Sequence, residues 1–116
     1  MTHPQNMVFK ALADPTRREI LSLLRSGGSS VGDIAVNFQM SRPAVSKHLR
    51  QLREAGLIID RPVGTARICE LNPEPLELID IWLSEYRVFW KNQLSRLKAH
   101  VEANQHVNHS KSRQHR

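Results

Sequence analysis

The residues with chemistry to offer in this chain are cations set beside short hydroxyl groups. From Ser41 to Gly56 the sequence reads Ser-Arg-Pro-Ala-Val-Ser-Lys-His-Leu-Arg-Gln-Leu-Arg-Glu-Ala-Gly. At 100° per residue, Val45, Leu49 and Leu52 fall on one face, and Arg42, Ser46, Lys47, Arg50 and Arg53 gather on the other. The apolar face needs a core to cover it. The opposite face suits a polyanion: guanidinium and ammonium groups neutralise phosphates, and Arg, Lys and Ser also hydrogen-bond the edges of bases. The ends of the segment are marked as well. Ser41 is an N-cap, Pro43 is tolerated in a first turn, and Gly56 can take the left-handed conformation that stops a helix.

The rest of the composition agrees with a polyanionic partner. The 116 residues make one domain by length, and 17 Lys plus Arg against 11 Asp plus Glu give a net charge of +6. Between Ser41 and Arg67, six basic residues (Arg42, Lys47, Arg50, Arg53, Arg61, Arg67) face only Glu54 and Asp60, so most of the excess lies around the opening segment. The single cysteine, Cys69, excludes an internal disulfide and a cysteine-only zinc site. There is no basic, then apolar, leader at the start and no run of about 20 apolar residues, so a cytoplasmic protein with no membrane partner is expected. No convergent acid, base and nucleophile set and no phosphate-cradling glycine loop point to an enzyme.

The elements that must position the basic face follow in chain order. Residues 1–5 read as a loose start, and Met7, Val8, Phe9, Ala11 and Leu12 as one or two helical turns. Asp14-Pro15 reads as N-cap and N1 of a helix with Ile20, Leu21, Leu23 and Leu24 inside, ending at Gly27-Gly28; Arg17 and Arg18 lie on its wet side. Ser30 with Asp33 resembles a capping box opening a short helix with Ile34, Ala35 and Phe38 inside. A short helix, a turn at Gln39-Met40 and a second helix with a basic outer face form the pattern of a helix-turn-helix. An ordinary pair of packed helices with solvated charges has the same pattern. After Gly56 the period becomes extended: Leu57 to Val63, a tip at Gly64-Thr65, and Ala66 to Leu71 form a β-hairpin whose Arg61 and Arg67 can approach the DNA backbone or minor groove.

Asn72-Pro73-Glu74-Pro75 breaks the chain. A long helix then runs to about Asn104, with Leu76, Ile79, Leu83, Tyr86, Trp90, Leu94, Leu97 and Val101 three and four apart and Leu78, Trp82 and Phe89 beside them. That is more apolar surface than one small core covers, and the expected use is dimerisation, with Leu83, Tyr86, Trp90, Leu94 and Leu97 in the interface. A ligand pocket built from the same aromatics is the other use of such a stripe. The expected organisation is 6–72 for the DNA-binding part, 73–104 for the dimerisation helix and 105–116 for a disordered tail. The fold class is mainly α with a small two-stranded β-wing: a winged helix-turn-helix that dimerises through its long C-terminal helix.

Two stretches carry a resemblance to a known family. Phe9-Lys10-Ala11-Leu12-Ala13-Asp14-Pro15-Thr16-Arg17-Arg18-Glu19-Ile20-Leu21, and Ser46-Lys47-His48-Leu49 with Leu52-Arg53-Glu54-Ala55-Gly56-Leu57-Ile58, closely resemble the ArsR/SmtB winged-helix bacterial repressors. The resemblance covers about residues 6–104. It implies a homodimer on an imperfect palindrome of double-stranded DNA, repressing by covering a promoter. It also implies a recognition helix from Arg42 to Ala55, with Arg42, Ser46 and Lys47 nearest the bases. Backbone contacts would come from Arg17 or Arg18, Arg50, Arg53, Arg61 and Arg67.

The chain departs from the family's metal sensors. Where those carry a pair of cysteines one residue apart, it has Val31-Gly32-Asp33-Ile34-Ala35-Val36; on the terminal helix, Asp80 is followed by Ile81 and Trp82, with His100 alone much later. No metal and no cofactor are expected, and whether a small-molecule effector releases the DNA stays open. His106 and His109 have a ligand spacing without a third partner. Cys69 fits a half-buried packing position in the second wing strand, and Arg67 two residues away is its one argument for redox sensitivity. Two other readings stay open: an architectural DNA-binding protein without sequence preference, marked by a specificity ratio near one, and a winged-helix module for protein interaction, marked by no DNA binding at low salt.

Overall fold

The computed structural model describes residues 4–107. Its elements are α1 (Pro4–Leu12), α2 (Pro15–Leu24), β1 (Ser29–Ser30), α3 (Val31–Phe38), α4 (Arg42–Glu54), β2 (Ile58–Val63), β3 (Ala66–Leu71) and α5 (Leu76–Val107). The chain divides into two compact units at Asp80–Ile81, inside α5.

The caps fall where the sequence places them. Asp14 caps α2, its carboxylate accepting from the Arg17 N–H at 3.0 Å. Ser30 caps α3, accepting from Asp33 N–H at 3.1 Å, and Ser41 caps α4, accepting from Ala44 N–H at 3.2 Å. At the far end of α4, Gly56 sits at φ +76°, and the Leu57 N–H reaches back to the Leu52 carbonyl at 2.9 Å, closing the helix with a left-handed stop. Helix α1 starts at Pro4, earlier than the loose start expected, because proline needs no N–H partner at a first helical position. Helix α5 continues through Gln105 to Val107, into the stretch expected as tail, since no glycine or proline interrupts it there. Residues 108–116, including His109, lie outside the described residues.

The expected two-stranded wing is part of a three-stranded antiparallel sheet, ordered β1-β3-β2. Strand β1 pairs Ser29 with Cys69 and Ser30 with Ile68, and two hydroxyl residues are too few to show an alternating pattern in sequence. The neighbouring Gly28 permits this approach: a Cβ there would stand 2.5 Å from Ile68 Cγ2 and 3.1 Å from the Cys69 carbonyl. In the hairpin Asp60 pairs with Cys69 and Arg61 with Ile68, with Gly64 at φ +63° in the tip.

One core holds the first unit. Val8 and Ala11 of α1, Ile20, Leu21 and Leu24 of α2, Ile34 and Ala35 of α3 and Val45, Leu49 and Leu52 of α4 are buried together with Leu57, Ile58 and Cys69. Leu76, Leu78 and Ile79, at the start of α5, pack on that core half-buried. Each fully buried leucine or isoleucine contributes about 1.5 to 3 kcal/mol as an upper figure. The second unit is helix throughout its described length. There Leu83 is half-buried, whereas Tyr86, Trp90, Leu94, Leu97 and Val101 are exposed. The Trp82 and Tyr86 rings meet at 5.1 Å between centroids, tilted by 53°.

Candidate nucleic-acid interface

Helix α4 follows α3 after the turn Gln39-Met40-Ser41. Gln39 takes a left-handed φ of 54°, and the Met40 N–H bonds back to the Ala35 carbonyl at 2.9 Å, so the chain reverses within three residues. That tight turn fixes which side of α4 is available. Val45, Leu49 and Leu52 point into the core, while Arg42, Ser46, Lys47 and Arg50 are all exposed. Among the described residues, no carboxylate lies within ion-pair distance of Arg42, Lys47 or Arg50.

The other expected phosphate ligands have partners inside the chain. Arg53, in the last turn of α4, places Nε 3.0 Å from Asp60 Oδ2 and Nη2 3.3 Å from Asp60 Oδ1. Arg67, across the hairpin, reaches the same carboxylate at 3.4 Å, and Arg61 pairs with Glu70 at 2.7 Å. The Asp60 side chain is only 14 % exposed, so it ties α4, β2 and β3 at one point. Burial works to raise its pKa, but hydrogen bonds from Arg53 and the Cys69 thiol, with the two guanidinium charges, hold it below the ordinary carboxylate range. Exposed ion pairs of this kind are worth about 0 to 1 kcal/mol each, so phosphates can compete for these arginines.

Arg17 and Arg18 take a third arrangement. Arg17 donates through Nε to the Ala11 carbonyl at 2.7 Å and through Nη2 to the Lys10 carbonyl at 3.1 Å; Arg18 donates to the Leu12 carbonyl at 2.7 Å. These carbonyls lie in the last turn of α1, where the Lys10 carbonyl also accepts from the Ala13 N–H at 3.2 Å, and the two arginines cap them across the turn at Ala13-Asp14. One contact to α4 carried no signal in the sequence. His48, in the second turn of α4, brings Nδ1 to 3.8 Å from Asp14 Oδ2, and this buried nitrogen has no hydrogen-bond partner. The Asp14 carboxyl is held below its ordinary range first by the Arg17 N–H and further by the nearby His48 and Arg17. Thirty-four residues separate the pair, so only the tertiary fold reveals it.

Cys69 is buried and donates its thiol to Asp60 Oδ1 at 3.4 Å. Burial, and then the carboxylate beside it, push the thiol up to about 11, which keeps it protonated at neutral pH and opposes the reactivity a redox sensor needs. Among the described residues no three His, Cys, Asp or Glu side chains come together as a metal cage. None of their helices is long and apolar enough to cross a membrane.

Residues 14–60, from the α2 cap to the first wing strand, match the model of the bacterial regulatory protein family arsR. The chain is 42% identical over 87 residues to the HTH-type transcriptional regulator Rv2034 of Mycobacterium tuberculosis, covering 75% of this chain and 78% of that one. It is 42% identical over 81 residues to the transcriptional repressor SdpR of Bacillus subtilis, covering 70% and 90%. The chain belongs to the ArsR family. Its fold agrees at the level of solved structures. A crystal structure of an ArsR family transcriptional regulator superposes with a TM-score of 0.68 at 36% identity, covering 77% of this chain and 98% of that one. A homodimeric winged helix-turn-helix DNA-binding domain from Mycobacterium bovis gives 0.61 at 28% identity, covering 72% and 81%. This ArsR-family chain is therefore a DNA-binding transcriptional regulator built as a winged helix-turn-helix, and not an enzyme.

Proposed function

We propose that this regulator is a homodimeric repressor that binds an imperfect palindromic operator and represses by covering the promoter, with no metal required. The observation that carries the reading is α4: three buried aliphatic side chains fix its inner face, and Arg42, Ser46, Lys47 and Arg50 stand exposed on the outer one. In a helix-turn-helix the N-terminal residues of the second helix meet base edges, which assigns Arg42 the bidentate contact to a guanine and Ser46 and Lys47 the neighbouring contacts. Arg50 and, once they exchange their carboxylates for phosphates, Arg53, Arg61 and Arg67 supply backbone affinity. Arg17 and Arg18 add charge to that surface while they cap α1. The exposed stripe of α5, with Leu83, Tyr86, Trp90, Leu94 and Leu97, is covered by the same stripe of a second copy, and the two recognition helices then enter successive major grooves about 34 to 36 Å apart.

The test is footprinting on the DNA upstream of the protein's own gene, with the same protein on random-sequence DNA as reference. The expected result is a protected, two-fold symmetric site whose affinity falls steeply with salt. Arg42→Ala should weaken binding to that site by about 1 to 3 kcal/mol and relax base preference at one position of each half-site. Equal weakening on specific and random DNA would reduce Arg42 to a phosphate ligand, and a specificity ratio near one for the wild type would make the protein architectural.

A further inference from the structure

Gly32 has no backbone reason to be glycine. It lies in the first turn of α3 without a positive φ, and glycine is among the poorest residues for a helix. What uses its missing side chain is Arg42. A Cβ built on Gly32 would stand 2.7 Å from Arg42 Nη2, 3.2 Å from Cζ and 3.5 Å from Nε, so the guanidinium lies directly over the bare backbone of α3. Arg42 is the first residue of α4, and its side chain turns back across the helix-turn-helix to reach this point. The groove it occupies is lined by Ser30, Val31, Gly32 and Asp33 on the α3 side and by Ala66 and Arg67 on the wing side. No carboxylate among the described residues holds the guanidinium there by ion pairing. Shape holds it: a flat group on a backbone that offers no Cβ.

We propose that Gly32 is a specificity-determining positioning residue, which seats the Arg42 guanidinium on the first turn of α3 and so sets the direction from which it meets a base. Gly32 itself touches no DNA in this role. An arginine head is a planar fork, and bidentate recognition of a guanine edge depends on its plane and direction as well as its charge. On a long side chain that orientation is costly to fix unless a neighbour restricts it. An alanine at position 32 is accommodated easily, because the atoms it meets are the end of a flexible side chain, but only by moving the guanidinium off its seat. Stability and recognition therefore respond in opposite directions.

The inference rests on the reading of Arg42 as a base contact, and the experiment separates the two. Gly32→Ala, Arg42→Ala and the double variant are compared with wild type by thermal unfolding and by titration of the footprinted upstream duplex and a random duplex. Gly32→Ala is expected to keep or raise the unfolding midpoint, because alanine favours the helix. It should lower the ratio of upstream to random affinity about fivefold or more, the loss of a good bidentate contact. The relaxed base position should be the one relaxed by Arg42→Ala, and Gly32→Ala should add nothing in the Arg42→Ala background. If Arg42→Ala lowers the ratio and Gly32→Ala leaves it unchanged or raises it, the positioning role is overturned and the base contact stands. A drop from Gly32→Ala that persists in the Arg42→Ala background also overturns it, since the effect then bypasses the guanidinium. If Arg42→Ala does not change the ratio, the base contact itself fails.

Discussion

The two units of this chain treat similar apolar side chains in opposite ways. Up to Asp80, leucine, isoleucine and valine from four helices and a small sheet close over one another, and Ile20, Ile34, Leu49, Leu52 and Leu57 are at most 1 % exposed. From Ile81 onward, Trp90 is 48 % exposed and Leu94 64 % exposed on a helix that has no other element in its unit. A face of that size is rarely left to water, and apolar patches of this kind mark surfaces that meet another molecule. The first unit is complete with one copy of the sequence. The second is half of something, which is why the proposed function depends on a second copy as much as on the basic face.

The largest effect should come from the open face. Leu94→Glu with Leu97→Glu is expected to give a monomer by analytical ultracentrifugation at micromolar concentration, with operator affinity reduced about a hundredfold or more as one half-site is lost. A wild-type protein that is already monomeric at that concentration would break the comparison. Within the closed unit, Leu52→Ala should cost about 2 to 5 kcal/mol in chemical unfolding, the range for a leucine removed from a packed core. Val101→Ala, at a site 43 % exposed on the same stripe and measured in that monomeric background, should cost well under about 1 kcal/mol, as substitutions at exposed sites do.

A smaller effect probes a polar contact at the edge of the core. The Cys69 thiol is raised above its unfolded value by burial and by Asp60. Its contribution is thus fully present below the unfolded pKa of about 9 and is lost as pH rises through about 11. Stability should fall over that interval by about 2 to 3 kcal/mol at most, and the fall should be smaller in Cys69→Ala. Thiolate absorbance followed through the same titration checks the assignment. Asp60 has the opposite sign: its depressed pKa stabilises above the unfolded carboxylate value and stops doing so as the pH falls through the folded one. The smallest effect is at a helix end, where Ser41→Ala should remove about 1 kcal/mol by leaving the Ala44 N–H uncapped.

What could be read from the sequence was local. The caps at Asp14, Ser30 and Ser41, the stop at Gly56, the inner face of α4 and the apolar stripe of α5 are each decided within one or two turns of chain, and they stand where periodicity put them. What could not be read was the choice of partners. Arg53 and Arg67 were legible as cations but not as ligands of one half-buried carboxylate, because Asp60 faces both only once the hairpin register sets it opposite Cys69. Arg17 and Arg18 were legible as lying on the wet side of α2, but Arg17 is half-buried, and the bonds of both to α1 carbonyls depend on how the chain turns at Ala13-Asp14. Strand β1 and the approach of His48 to Asp14 left no pattern at all, being too short in one case and too distant in the other.

The stripe on α5 also carries a spacing that limits how it can be covered. Leu83, Tyr86 and Trp90 recur eleven residues later as Leu94, Leu97 and Val101. An eleven-residue repeat corresponds to about 3.67 residues per turn, on the other side of the straight-helix value from the seven-residue repeat of left-handed coiled coils. A seam with that period runs almost parallel to the helix axis, so two such helices can lie side by side without winding around each other to the left. The repeat also makes an eleven-residue slide the cheapest misalignment, since it sets apolar residue against apolar residue again. Size is what distinguishes the two positions: tyrosine and tryptophan in the first repeat give way to leucine and valine in the second, so the slide changes which sizes of side chain meet.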